Sequence, residues 1–334
     1  MTALVRSKLL LSVGASIALL ALDAPAVAGN GGFAPVSPAS PNARDISTTY
    51  WVITGFSLAI LILVETLLVL FIVRYRRNKR PRDLDGPQIH GSNRIETMWT
   101  VAPVLILFAI ATFVLVKLPG IKDVPEAKAG ETNLVVHVTG RQYYWQYEYP
   151  NGVVAIDRLR APEDGTVELV VTAPAFDVIH SWWIPALGGK IDAIPGRINH
   201  TWFRAERVGV FSGQCAELCG LNHARMLAQV EVMPAPAFTA WLAERKTEQD
   251  AGTSPLGREQ YDGACAKCHG IAGEGKVAAN APQLRGSSSV TDAQAVAQLL
   301  RTGQNEMPPV GRDWSDTQMD AMTAYLEERF GSGN

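Results

Sequence analysis

Residues 212 to 226 read S-G-Q-C-A-E-L-C-G-L-N-H-A-R-M, which sets Cys215, Cys219, His223 and Met226 in the spacing C-x3-C-x3-H-x2-M. Thiolate, imidazole and thioether together are the soft donor set that favours copper. A structural zinc site would more often use C-x2-C pairs and no thioether. One further ligand is needed from elsewhere, and His180, in Asp177-Val178-Ile179-His180-Ser181-Trp182, is the best candidate. A disulfide between the two cysteines would leave the histidine and methionine unexplained. A second motif, Cys265-Ala266-Lys267-Cys268-His269, is C-x-x-C-H, the attachment sequence for c-type haem. Its thiols add to the haem vinyl groups and His269 becomes an axial iron ligand. A thioredoxin-like C-x-x-C would need a βαβ context, which is missing. Methionine as second axial ligand would raise the potential. Met307, in Met307-Pro308-Pro309 on a loop, is the candidate, whereas Met319 and Met322 fall in a C-terminal helix as core residues.

These motifs use all four cysteines, so none remains for a structural disulfide. A chain of 334 residues is expected to hold two or three folding units. The formal charge of −2 excludes a generally basic nucleic-acid binder. Mean hydropathy is slightly positive, which points to membrane spans.

The elements that must position the two motifs follow in chain order. Arg6 and Lys8, an apolar run over 9–22 and Ala26-Val27-Ala28 read as a secretory signal peptide, 1–28. Residues 29–47, rich in Gly, Pro, Ser and Asn, are expected to form a flexible leader. Residues 48–118 form a transmembrane hairpin, with spans at about 50–73 and 98–118. The loop 74–97 carries Arg74, Arg76, Arg77, Lys79, Arg80, Arg82 and Arg94, which places it in the cytoplasm and everything after the second span outside. Glu65 lies within the first span and receives no role. From 133 to 233 the pattern turns to period two. Runs at 134–138, 143–149, 167–171, 201–204 and 226–232, separated by turn formers such as Asn151-Gly152 and Pro195-Gly196, predict an antiparallel β-sandwich. His137 and His200 fall on these strands and are read as ordinary surface or packing residues. A short helix over 237–246, a linker over 247–254 and an all-α unit over 255–334 complete the chain, with helices predicted at 292–302 and 315–329.

Several motifs together carry a family resemblance. Asp177-Val178-Ile179-His180-Ser181-Trp182, Asp192-Ala193-Ile194-Pro195-Gly196-Arg197, the loop from Cys215 to Met226, Glu96-Thr97-Met98-Trp99-Thr100 and Gly140-Arg141-Gln142-Tyr143-Tyr144-Trp145 resemble subunit II of cytochrome c oxidase. The C-terminal unit resembles a class I cytochrome c, as in bacterial variants whose subunit II carries its own cytochrome. The resemblance implies a cupredoxin domain over 119–246 holding a dinuclear CuA centre. Cys215 and Cys219 would bridge the coppers, with His180 and His223 as terminal ligands and Met226 and the Glu217 carbonyl as weak axial ones. Sharing one electron between two metals keeps bond lengths nearly constant on reduction, so transfer is fast at small driving force. It further implies a magnesium ion shared with subunit I through the Glu217 side chain, a proton-uptake role for Glu96, and Pro282 as acceptor for the axial His269.

One departure stands out. The family's aromatic motif usually starts with tryptophan, the usual point of electron input from soluble cytochrome c, where this chain has Tyr143. A tethered haem would remove the need for that docking site, since a short linker gives a donor concentration of about millimolar. The expected function is transfer of electrons from haem c to CuA and on to haem a of subunit I, where oxygen is reduced with proton pumping. The expected partners are subunits I and III and a donor such as cytochrome c or a cytochrome bc complex, in the bacterial inner membrane with both redox domains outside. The alternatives are a CuA subunit of a nitric oxide reductase and a non-catalytic copper-metallation protein. A quinol oxidase subunit would lack the copper ligands.

Overall fold

The computed structural model describes residues 34–75, 88–127, 133–252, 255–278 and 280–331. The chain divides into a unit over residues 1–37, of which only 34–37 are described, and a unit over 38–334 that holds every element below. The signal peptide, the basic residues 76–82 of the loop and residues 253 and 254 of the linker lie outside the described residues.

Two helices open the larger unit, α1 over Pro41–Tyr75 and α2 over Asn93–Lys122. Each exceeds the roughly 20 residues that span a bilayer core. Their apolar residues are exposed along most of their length, Leu63, Phe71 and Phe108 among them, an arrangement suited to hydrocarbon and costly in water. Glu65 is also exposed on α1. Lys117 Nζ bonds Asp45 Oδ1 at 2.8 Å and ties the two helices at one end. Helix α1 starts inside the stretch expected to be a flexible leader. Pro41 opens it, where the missing amide costs least. Ala39 exchanges backbone bonds with Ala186 (2.7 Å) and Glu206 (2.9 Å), and Ser40 Oγ accepts from Arg204 N–H at 3.1 Å. These bonds to the following domain order residues that composition alone reads as loose.

The sandwich comprises β1 (Leu134–Arg141), β2 (Tyr144–Glu148), β3 (Val154–Ile156), β4 (Arg158–Pro162), β5 (Thr166–Thr172), β6 (His180–Trp183), β7 (Ile191–Ala193), β8 (Asn199–Arg204), β9 (Gly209–Cys215) and β10 (Leu227–Met233). One sheet runs β3-β2-β1-β5-β8, the other β4-β10-β9-β6-β7. Period two is visible in the burial. Val167, Leu169 and Val171 of β5 and Ala228, Val230 and Val232 of β10 face the core, while their neighbours are partly exposed. The sheets are mixed where the spacing predicts antiparallel pairing, because β1 with β5 and β4 with β10 run parallel. Between β1 and β5 the chain crosses to the other sheet to form β4, so β5 returns beside β1 in the same direction.

Helix α3, Ala235–Asp250, extends past the predicted 246 into the expected linker and packs Phe238 and Trp241 around Tyr149. The last unit holds α4 (Leu256–Gln260), a π turn (Tyr261–Cys265), α5 (Ala266–His269), α6 (Ala293–Thr302) and α7 (Asp316–Leu326). Asp292 caps α6 by accepting from Gln294 and Ala295 N–H, and Ser315 with Gln318 forms a capping box on α7. Strand β2 joins this unit to the sandwich. Its Trp145 and Tyr147 fill the sandwich core, while Tyr144, pointing the other way, belongs to the core of the helical unit.

Candidate metal and haem centres

Strand β9 delivers Cys215 beside β6, paired with Trp182, and His180 lies two residues back on β6. The loop is closed at its base, where Cys215 N–H donates to the Met226 carbonyl at 2.9 Å and Ala216 N–H to the Ser181 carbonyl at 2.8 Å. Gly140 leaves the space that seats His180. A Cβ there would stand 3.1 Å from His180 Cβ and 3.0 Å from the Trp145 ring.

The predicted ligands converge. Cys215 Sγ and Cys219 Sγ lie 3.9 Å apart, Cys219 Sγ is 3.5 Å from His223 Nδ1 and 3.8 Å from Met226 Sδ. The ligand atoms of His180, Cys215 and Cys219 all lie within 4.8 Å of one another. A disulfide requires about 2.05 Å, so these are free thiols. His180 is fully buried, and its Nε2–H donates to Asp177 Oδ1 at 3.1 Å. That bond selects the tautomer with the lone pair on Nδ1, and Nδ1 has no hydrogen-bond partner. A buried acceptor left unpaired is costly unless something else binds it. An orphaned imidazole nitrogen beside two thiols and a thioether therefore fits copper. The Glu217 carbonyl oxygen stands 3.2 Å from Cys215 Sγ, while its half-exposed carboxylate points to Lys190, 4.0 Å away.

Ionisation is shared within the sulfur pair. The hydrogen bond with Cys219 draws Cys215 well below the usual thiol range, and the same bond together with burial pushes Cys219 up. Burial opposes protonation of His180, but its bond to Asp177 and the Cys215 sulfur nearby outweigh that and move it upward.

In the helical unit, Cys265 and Cys268 flank the start of α5, and Cys265 is buried, which pushes its thiol up to about 12. His269 is buried, and its Nδ1–H donates to the Pro282 carbonyl at 2.9 Å, leaving Nε2 for a metal. Gly275, at φ +74°, lets that carbonyl approach. A Cβ there would stand 2.6 Å from Gln283 N and 2.8 Å from Pro282 C. Met307 packs on the core that contains Cys265, its backbone doubly bonded to Gln304 at 2.9 and 3.0 Å. Met319 and Met322 are buried in that core, as the sequence predicts. The paired thiols, the free Nε2 and the available thioether fit a covalent haem.

The remaining candidates lie as follows. Glu96 is exposed in the first turn of α2 and its carboxylate accepts from Ser92 N–H at 3.1 Å, a helix-start role. Tyr143, at the β1–β2 turn, accepts from Leu221 N–H at 3.1 Å through its hydroxyl, and burial raises its phenol pKa. His200 Nδ1 is 2.9 Å from Glu168 Oε1 at the surface, an ordinary pairing. The sequence reading passes over Gln142, whose Nε2–H donates to the Cys219 carbonyl at 2.7 Å. It also passes over Asn222 and Lys267, which join the two centres. Their only signal in the sequence is adjacency, one next to His223 and the other inside C-x-x-C-H.

Comparison with known proteins identifies the domains that carry these residues. Family models match residues 30–116 as the transmembrane domain of cytochrome c oxidase subunit II and 153–233 as its periplasmic domain. A third, described as cytochrome c oxidase, cbb3-type, subunit III, matches 254–326. The chain is 32% identical over 315 residues to cytochrome c oxidase subunit 2 of Alkalihalophilus pseudofirmus, covering 87% of this chain and 89% of that one. To the protein of the same name from Cereibacter sphaeroides it is 36% identical over 246 residues, covering 62% and 79%. To that from Bacillus subtilis it is 32% identical over 288 residues, covering 77% and 80%. Copper and haem c are the cofactors that these matched domains imply. The chain belongs to the cytochrome c oxidase subunit II family and is a component of an oxidoreductase complex.

Proposed function

We propose that this chain carries electrons from haem c to a dinuclear CuA centre and on to haem a of subunit I, for reduction of oxygen to water with proton pumping. The observation that carries this reading is that one buried set of soft donors and one C-x-x-C-H loop meet within a single chain, joined by the bond from Asn222 Nδ2 to Cys268 Sγ at 3.1 Å. In this reading His180, Cys215, Cys219, His223, Met226 and the Glu217 carbonyl hold the coppers. Cys265 and Cys268 tether the haem, and His269 and Met307 ligate its iron. When bound, the two groups supply one-electron chemistry at small reorganisation cost.

The protein's own part is to hold, orient and exclude water. Asp177 fixes the His180 tautomer, Pro282 fixes the His269 ring, and the buried sulfurs keep solvent from the copper cluster. The Glu217 carboxylate, outside the cluster, is free to contribute to a magnesium ion shared with subunit I. Glu96 stands at the start of α2 as a proton-uptake residue, and Tyr143 replaces the usual input tryptophan because the donor is internal. The assembly sits in the inner membrane with both redox domains on the periplasmic side, beside subunits I and III, and receives electrons from cytochrome c or a cytochrome bc complex. The test is oxygen uptake with reduced cytochrome c by the complex purified through this chain. Activity lost in Cys219→Ser supports the reading. A wild-type complex with copper and haem c but no haem a overturns it.

A further inference from the structure

The haem-attachment loop and the copper loop touch through Asn222, Arg225, Lys267 and Cys268, of which only Cys268 holds a cofactor. Asn222, buried and adjacent to His223, donates from Nδ2 to Cys268 Sγ at 3.1 Å. Arg225 Nη1 donates to the Lys267 carbonyl at 3.1 Å. Lys267 reaches the other way. Its Nζ donates to the Tyr143 carbonyl and, at 3.0 Å, to Asp157 Oδ2, with only 12% of its side chain exposed. Asp157 is held in turn, since its Oδ1 accepts from Trp145 N–H at 2.8 Å. A buried ammonium is costly unless it is paired and fully hydrogen-bonded. Here both partners come from the sandwich, so the docked arrangement that buries the ammonium also satisfies it. A thioether sulfur keeps a lone pair, so haem attachment leaves Cys268 Sγ able to accept from Asn222.

We infer that Lys267 is a positioning residue that keys the haem-attachment loop onto the sandwich beside the copper loop, with Asn222 of the copper loop as the second point of contact. The haem domain is then a docked input held at one separation from the coppers, and the chain passes its electron with no encounter step between the domains. This rests on the reading of the two centres given above. The partly buried Lys267–Asp157 pair is screened less than an exposed one, so docking persists at physiological ionic strength.

The test is a pulsed electron paramagnetic resonance distance measurement between the CuA signal and the low-spin ferric haem, on the full chain in detergent, loaded with copper and haem. The wild type should give a single narrow distance. Lys267→Met, which keeps the stem and removes the charge, should broaden it while the contacts at Tyr144 and Arg141 keep the domains together, and the spectrum of each separate centre stays unchanged. Lys276→Met, at an exposed lysine of the same domain, should behave as wild type. Should Lys267→Met fail to fold, Asn222→Leu asks the same question from the other side and should also broaden the distance. A broad distance in the wild type, or a narrow one in both Lys267→Met and Asn222→Leu, overturns the inference. A wild-type chain that shows no CuA signal or no covalent haem refutes the reading of the centres instead, and the docking key falls with it.

Discussion

The indole N–H of Trp314 in the haem domain donates to the hydroxyl of Tyr144 in the sandwich at 2.8 Å, and both rings are buried. Arg141 and Asp313 form a two-pronged ion pair beside them, and Gln318 Nε2 donates to Gln146 Oε1 at 3.1 Å. A strand of one domain thus supplies part of the core of the other. Tyr144→Phe leaves the indole N–H buried without a partner and should cost about 1–3 kcal/mol. Thermal melts of the full chain should show the haem domain losing its coupling to the copper domain, with the haem signal melting first. Unchanged, coincident transitions would contradict this.

Asp177→Leu removes the acceptor that holds His180 Nε2–H. The ring then loses its tautomer preference, and copper affinity should fall by about 10- to 100-fold. Competition with a chelator of known affinity measures it. Asp177→Asn keeps an acceptor oxygen and should lose much less.

Gly275→Ala puts a side chain at positive φ and against the backbone at Pro282. The strain should cost at least about 1 kcal/mol. Because the haem stays attached through Cys265 and Cys268, the readout is the axial bond. The methionine-to-iron charge-transfer band of the ferric haem should weaken, with haem content unchanged.

Burial holds the Cys265 thiol up at about 12, so below that pH it stays protonated and unreactive. Cys268 is less buried. In the haem-free chain, alkylation at pH 8 followed by peptide mass spectrometry should label Cys268 faster than Cys265. Equal rates would show that the pocket around Cys265 is open.

Much of this was legible in the sequence because it rests on local chemistry. C-x3-C-x3-H-x2-M and C-x-x-C-H state donors at fixed spacing, and β5 and β10 alternate with the period of a half-buried strand. Strands β3, β6 and β7 are too short to show a period, and β9 alternates in burial but its sequence pattern is broken, because Gly213 stands between the buried Phe211 and Cys215 without a side chain and Val210 on the other face is apolar. The parallel pairs depend on crossovers between sheets, which no window of residues records. Tyr144 looked like one more aromatic of a strand. Its burial against Trp314 depends on a domain more than a hundred residues later, and the contact of Asn222 with Cys268 likewise joins two separate domains.

The most direct test follows the electron. The complex purified through this chain, carrying Cys219→Ser, is mixed anaerobically with reduced donor, and haem c and haem a are followed separately by stopped-flow spectroscopy. Haem c should be reduced at the wild-type rate while reduction of haem a is lost, because the break lies between them at the sulfur cluster. Reduction of haem a at the wild-type rate in that variant would contradict the account.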